Sequence, residues 1–193
     1  GANNVAVGSL TLDAATTANN NTAVGQGAMS GTTTGADNTA VGLSALYTNT
    51  TGANNVALGR SSLFANQTGT SNVAVGFNSL YNNTTGASNT AIGSKALQAN
   101  TTADNNTAIG RKALLSNTTG INNVAVGAYA LDANTTGSQN VAVGRDSLTV
   151  STGDRNTSLG HDTLKQNTSG SSNVAIGTFA GDNITTGDNN IVI

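Results

Sequence analysis

One short phrase recurs along the whole chain at a fixed spacing, and that spacing limits the possible folds more than composition does. The glycines that close each NVAVG-like word stand at Gly8, Gly25, Gly42, Gly59, Gly76, Gly93, Gly110, Gly127, Gly144, Gly160 and Gly177. Every step is 17 residues except the 16 between Gly144 and Gly160. The missing residue falls between Leu148 and Gly153, in a linking segment. A further copy begins at Asn190, so the period occupies residues 1–193 as a single repeat domain. A unit this short cannot bury its apolar side alone and does so only against its neighbours, which points to a stacked array.

Counted from its Asn, the repeat reads N-(V/T)-A-(V/I/L)-G-x-x-(A/S)-L-x-x-N-T-T-G-x-x. Position 1 is an Asn file: Asn4, Asn21, Asn38, Asn55, Asn72, Asn89, Asn106, Asn123, Asn140, Asn156, Asn173 and Asn190. Position 2 is always β-branched, position 4 is always Val, Ile or Leu, and position 9 is Leu except at Met29 and Gly181. β-Branched residues in a short run bounded by Asn and Gly read as a strand. The glycine at position 5 permits the positive φ of a turn. Positions 2, 4 and 9 do not follow a 3.6-residue period, so a helix fits poorly. These features predict an all-β fold: a parallel β-solenoid of eleven 17-residue coils with two short strands each. Neighbouring coils would stack about 4.8 Å apart, making a rod on the order of 50 Å long.

Strand alternation gives each position a face. With the large residues at 2, 4 and 9 turned inward, position 3 turns outward. There the chain carries a file of small apolar residues, including Ala23, Ala40, Ala57, Ala74, Ala91, Ala108, Ala125 and Ala142. Such a file on an outer face reads as a candidate subunit interface. The plainer alternative is that Ala merely tolerates a crowded sheet. A coil this thin offers few large side chains to its interior, which also favours association with further copies.

Composition narrows the function. Seven Lys and Arg, spread along the sequence, form no basic run, so nucleic acid is not expected as a partner. No apolar run approaches the roughly 20 residues of a membrane span. There is no Cys for disulfide or thiolate–metal chemistry. The chain opens inside a repeat, at GANNVAVG, and reads as a segment of, or a subunit in, a longer fibre.

The words NVAVG, NTAIG and NVAIG, each followed two residues later by a small residue, resemble the head repeats of YadA-like trimeric autotransporter adhesins. The longer form at 38–52, NTAVG…ALYTNTTG, is similar to repeat tracts of phage tail-fibre-like proteins that carry an endosialidase-type chaperone domain. The resemblance spans 1–193 and implies a left-handed parallel β-roll, three chains side by side, on a cell surface or virion. Two features differ from the usual head repeat: the period is longer, and Asn stands where Ser is usual.

Side chains that could carry chemistry are few. Asp146 and Asp162 fall at position 7 of adjacent coils, about one coil spacing apart, which is near the carboxylate separation of a retaining glycosidase. They stand beside Arg145 and His161 on a convex rod, where a solvated charge ladder is the simpler reading. His161 has no second His and no nucleophilic Ser motif near it. No phosphate-binding loop and no repeated-Asp calcium motif is present, so no enzyme activity, metal or cofactor is expected.

The Asn file reads as a structural hydrogen-bonding ladder, with sugar binding as its alternative. The NTT words at Asn49, Asn83, Asn100, Asn117 and Asn134 match an N-glycosylation acceptor as a by-product of the turn. Tyr47, Phe64 and Tyr81 share position 10 in three successive coils and form a candidate binding strip, with cross-strand stacking as its alternative. A Thr file at position 14, from Thr17 to Thr136, invites comparison with an ice-binding face, but only one Thr of each Thr-Thr pair can face outward regularly.

The functional expectation is a structural shaft or head segment of an extracellular or virion surface fibre, binding by multivalent display. Its expected partners are further copies of itself and a host glycan or surface receptor. A self-assembling filament stacking end to end is one alternative, and an ice- or glycan-binding solenoid is another.

Overall fold

The structure, a computed structural model, describes residues 1–193. Twelve strands form one parallel sheet in chain order, each hydrogen-bonded to the next. They are β1 (Val5–Val7), β2 (Thr22–Val24), β3 (Thr39–Val41), β4 (Val56–Leu58), β5 (Val73–Val75), β6 (Thr90–Ile92), β7 (Thr107–Ile109), β8 (Val124–Val126), β9 (Val141–Val143), β10 (Thr157–Leu159), β11 (Val174–Ile176) and β12 (Ile191–Val192). Equivalent repeat positions pair throughout, as in Ala91 with Ala108 and Ile92 with Ile109. The chain is therefore a parallel β-solenoid of about 11 turns without helix. No helix is long and apolar enough to cross a membrane.

The shortened coil leaves the sheet undisturbed. Val141 still pairs with Thr157 and Val143 with Leu159, so the missing residue is absorbed in the turn around Ser151 and Gly153.

The faces of the strand are the reverse of the sequence expectation. Position 3 points inward: Ala23, Ala40, Ala57, Ala74, Ala91, Ala108, Ala125 and Ala142 are fully buried within the single chain. They pack in one core cluster with the position 9 file, from Met29 and Leu46 to Leu148 and Leu164. The Ala file is therefore not on an outer face. Volume explains the reversal. The coil is thin, the opposite wall supplies a Leu in nearly every turn, and a methyl group is what the strand wall has room to add. Two files of Val or Ile facing those leucines would overfill the same gap.

That opposite wall is not a second strand, although one was expected there. Positions 7 and 9 both take left-handed backbone conformations, as in Ser44 at φ 54° with Leu46 at φ 52°, and Ser61 at φ 53° with Leu63 at φ 52°. Such residues cannot continue a pleated strand. The wall is still laced to its neighbours, by Leu46 N–H donating to Ser62 C=O at 2.9 Å and Ser44 N–H to Gln26 C=O at 2.9 Å. Of 121 backbone hydrogen bonds only 22 lie within the strands, so most of the coil-to-coil stitching runs outside them. A left-handed Leu is unfavourable by about 1–2 kcal/mol. Burying its side chain contributes about 1.5–3 kcal/mol, which offsets that strain.

The position 5 glycine is obligatory for two reasons. Gly110 has φ 134°, and a Cβ there would lie 2.5 Å from the carbonyl oxygen of Gly127 in the next coil. Gly110→Ala is expected to destabilise the rod by at least about 2 kcal/mol, through strain and steric conflict together. A urea midpoint equal to that of the parent chain would overturn this account.

Candidate functional site

The interior holds polar as well as apolar files. Most position 1 Asn residues make a four-way junction, as at Asn38. Asn38 N–H donates to Asn21 Oδ1 at 2.9 Å, and its Nδ2 donates to the same oxygen at 3.1 Å and to Gly52 C=O at 2.9 Å. Asn38 Oδ1 in turn accepts from Asn55 N–H at 2.9 Å. The amide thus ties one coil to the next and closes its own coil across the turn. This is the structural ladder expected from the sequence, and its burial leaves no face to offer a sugar.

A second ladder, which sequence reasoning missed, runs through position 12. Asn66 Nδ2 donates to Asn49 Oδ1 at 3.0 Å and to Gly69 C=O at 3.0 Å, and the pattern repeats at Asn83, Asn100, Asn117 and Asn134. Apart from Asn66, which opens NQT, these are the residues of the NTT words. They are fully buried in the folded coil, so the acceptor match is a consequence of the turn. Two buried side-chain atoms lack a partner, Thr32 Oγ1 and Asn167 Oδ1. Both sit at position 12 next to a coil that breaks the Asn file: Thr32 itself replaces Asn, and Ile184 follows Asn167. The signal for this ladder was visible as a second recurring Asn, but glycosylation and turn propensity masked it.

Three outward surfaces remain. The first is the strand face, made by positions 2 and 4. Val41, Leu58, Ile92, Ile109, Leu159 and Ile176 each keep 37–47% of their surface exposed. Val24, Val75, Val126 and Val143 are half-buried in the same file, beside the β-branched residues of position 2. The position 4 file is apolar along the whole sheet, whereas position 2 carries a hydroxyl at Thr22, Thr39, Thr90, Thr107 and Thr157.

The second is the Thr-bearing turn. Position 13 hydroxyls donate to the next coil's backbone, as in Thr33 to Thr50 C=O at 3.0 Å and Thr84 to Thr101 C=O at 3.0 Å. Position 14 from Thr17 to Thr136 is exposed. One regular outward Thr file results.

The third is the side face of positions 6, 7 and 10. Tyr47, Phe64 and Tyr81 stack there, with centroids 5.2 and 5.0 Å apart and planes within 3° and 7° of parallel. Arg60 lies over Phe77 at 5.8 Å, and Arg111 over Tyr129 at 4.7 Å. Cations that are scattered in sequence thus collect on one side.

Farther along the same face, Asp146, His161 and Asp162 come together, with ligand-type atoms within 4.8 Å of one another. Their polar atoms are engaged mutually. Lys165 Nζ donates to Asp162 Oδ1 at 2.7 Å, and His161 Nδ1 lies 3.1 Å from Asp162 Oδ2. Arg145 reaches His161 Nε2 at 2.7 Å and Asp146 at 3.4 Å. The Lys165 hydrogen bond holds the Asp162 carboxyl below the usual carboxylate range, whereas burial, with help from Asp146, pushes Asp132 up. Both ring nitrogens of His161 thus face side chains of the same cluster, Nδ1 towards Asp162 and Nε2 towards Arg145.

No family model, no curated protein and no solved structure matches the chain.

Proposed function

We propose that the chain is a non-enzymatic shaft or head segment of an extracellular or virion surface fibre. In it, three chains lie side by side as left-handed β-rolls, joined through the outward strand face. The observation that carries this reading is the unbroken file of Val, Ile and Leu at position 4, exposed or half-buried in every coil. A contiguous apolar strip roughly 50 Å long is a feature that single soluble chains rarely leave in water. The occupant best matched to it is a second copy of the chain. A copy presents the same side chains at the same axial repeat, so the files interdigitate coil for coil. The resemblance to trimeric adhesin heads and tail-fibre repeats points to the same packing. The interface is thus assigned to positions 2 and 4, in place of the buried Ala file.

The test is light scattering on the purified chain after gel filtration. A species near three times the 19.0 kDa chain is expected. A stable monomer would overturn the trimeric fibre, and a broad, very large species would replace it with the end-to-end filament.

A further inference from the structure

The aromatic stack of the side face ends at an open cavity. Tyr47, Phe64 and Tyr81 occupy three successive coils, but the coil below Tyr47 has Ser30 at the same position and Gly27 at position 7. A Cβ on Gly27 would lie 3.2 and 3.4 Å from carbons of the Tyr47 ring. The absence of a side chain there lets the Tyr47 ring lie over the Gly27 backbone at the edge of the cavity. The result is a half-open cavity of about 370 Å³ bounded by Tyr47, Leu10 and Leu43, with Gln26 and Ser44 at its polar edge. An apolar ring face beside an amide and a hydroxyl, with no charge in the lining, suits a pyranose: its C–H face packs on the aromatic ring and its hydroxyls meet the amide and hydroxyl.

Charge along the same face specifies the ligand further. From Gln26 to Ser116, positions 6, 7, 10 and 11 carry Arg60, Lys95, Arg111 and Lys112 and no carboxylate. The acids of those coils, Asp37 and Asp104, stand in the turn that precedes the strand and are engaged there, Asp104 accepting from Ala87 N–H at 2.7 Å and Asp37 from Asn20 Nδ2 at 3.0 Å. Arg60 and Arg111 are exposed. A cationic strip thus leads away from the cavity along the rod axis, although the whole chain is weakly acidic with a formal charge of −2.

We propose that this side face binds an acidic polysaccharide laid along the rod, with one pyranose ring seated in the cavity against Tyr47 and anionic groups against Arg60, Lys95 and Arg111. Stacking fixes the sugar end, and the cations select chains that bear carboxylate or sulfate. The proposal rests on reading the rod as a display surface, and it deepens that reading by naming the class of glycan displayed to.

The experiment is titration calorimetry of the full chain with a short oligogalacturonate and with its fully methyl-esterified, neutral counterpart. The chain has no Trp and three Tyr, so tyrosine emission gives a parallel readout. Binding of the acid form, weaker binding of the ester, and loss of the acid preference at about 1 M salt are expected, because screening then acts over about 3 Å. Tyr47→Ala is expected to weaken binding about tenfold. Leu43→Asp, at an exposed position that carries Arg in other coils, should abolish binding while leaving the circular dichroism unchanged. Arg60→Gln with Arg111→Gln should remove the preference for the acid.

Equal affinity for acid and ester, binding indifferent to both Tyr47→Ala and Leu43→Asp, or binding of single-stranded polydeoxythymidine in place of the glycan would each overturn the proposal. The solution mass is read separately. A trimer that ignores oligogalacturonate refutes this site alone, and a monomer that binds it refutes only the trimeric assembly.

Discussion

Ala91→Asp and Ile92→Asp, one residue apart in β6, are expected to give opposite results. Ala91 is fully buried in the apolar cluster that the sheet forms with the Leu wall. An aspartate there is larger than the methyl it replaces and carries an unpaired charge into an apolar file. A loss above about 4 kcal/mol is expected, enough to abolish the folded rod or break it at that coil. Ile92 keeps 38% of its surface exposed on the isolated chain. An aspartate there costs the single chain about 1 kcal/mol or less in strand preference. In the proposed trimer it would bring charges together in an apolar contact, so a folded monomer is expected. Circular dichroism and light scattering on both variants read the two outcomes. A folded, dissociated Ala91→Asp beside an unfolded Ile92→Asp would show that the two faces of the strand are assigned the wrong way round.

Asn89→Ala should be the most damaging change at a polar position. Asn89 Oδ1 accepts from Asn106 N–H at 3.0 Å, and its Nδ2 donates to Asn72 Oδ1 at 3.2 Å and to Ala103 C=O at 2.8 Å. Truncation orphans a buried backbone N–H and removes one of the two donors on the Ala103 carbonyl. The expected cost is about 3–5 kcal/mol, measured as a fall in the urea midpoint. Asn83→Ala in the second ladder leaves no backbone group in that position: Asn100 Nδ2 loses Asn83 Oδ1 but keeps Ala103 C=O. About 1–2 kcal/mol is expected there.

The charge-bearing variant adds a pH signature. Asn89→Asp sets a buried carboxylate against the Ala103 and Asn72 oxygens, which raises its folded pKa above the unfolded value. Stability is then lowest at neutral pH and recovers as pH falls through the folded pKa, where the proton supplies a donor. A flat stability profile relative to the parent chain would remove the ladder from its assigned role.

The period, the three-residue strands, the turn glycines and the first Asn ladder were legible because each depends on local chemistry repeated in register. Gly at position 5 and Asn at position 1 have few structural meanings. Which face of the strand lies inside was not legible from alternation, because alternation separates two faces without ranking them. The usual ranking by size fails in a coil whose opposite wall already delivers a Leu per turn. Nor could the sequence show that this Leu is held at φ near 50°, since a left-handed conformation at a residue like Leu97 or Leu114 is tolerated only because the coil buries the side chain fully. The side face was hidden for another reason. Arg60, Lys95 and Arg111 lie one to three coils apart in the chain, and only the stacking of coils brings them onto one face.

Coil-to-coil hydrogen bonds, from the strands, the Leu wall and both Asn files, share one direction: along the rod. Tension applied between the two ends therefore loads these layers in series, and each layer fails by itself. A released coil of 17 residues lengthens the chain by roughly 50 Å before the next layer bears the force. Force applied across the rod is shared by all layers at once. A rod made of such coils is stiff against bending and gives way to a pull in small, separate extensions, so a load at one end can be held through a jolt without every layer coming apart.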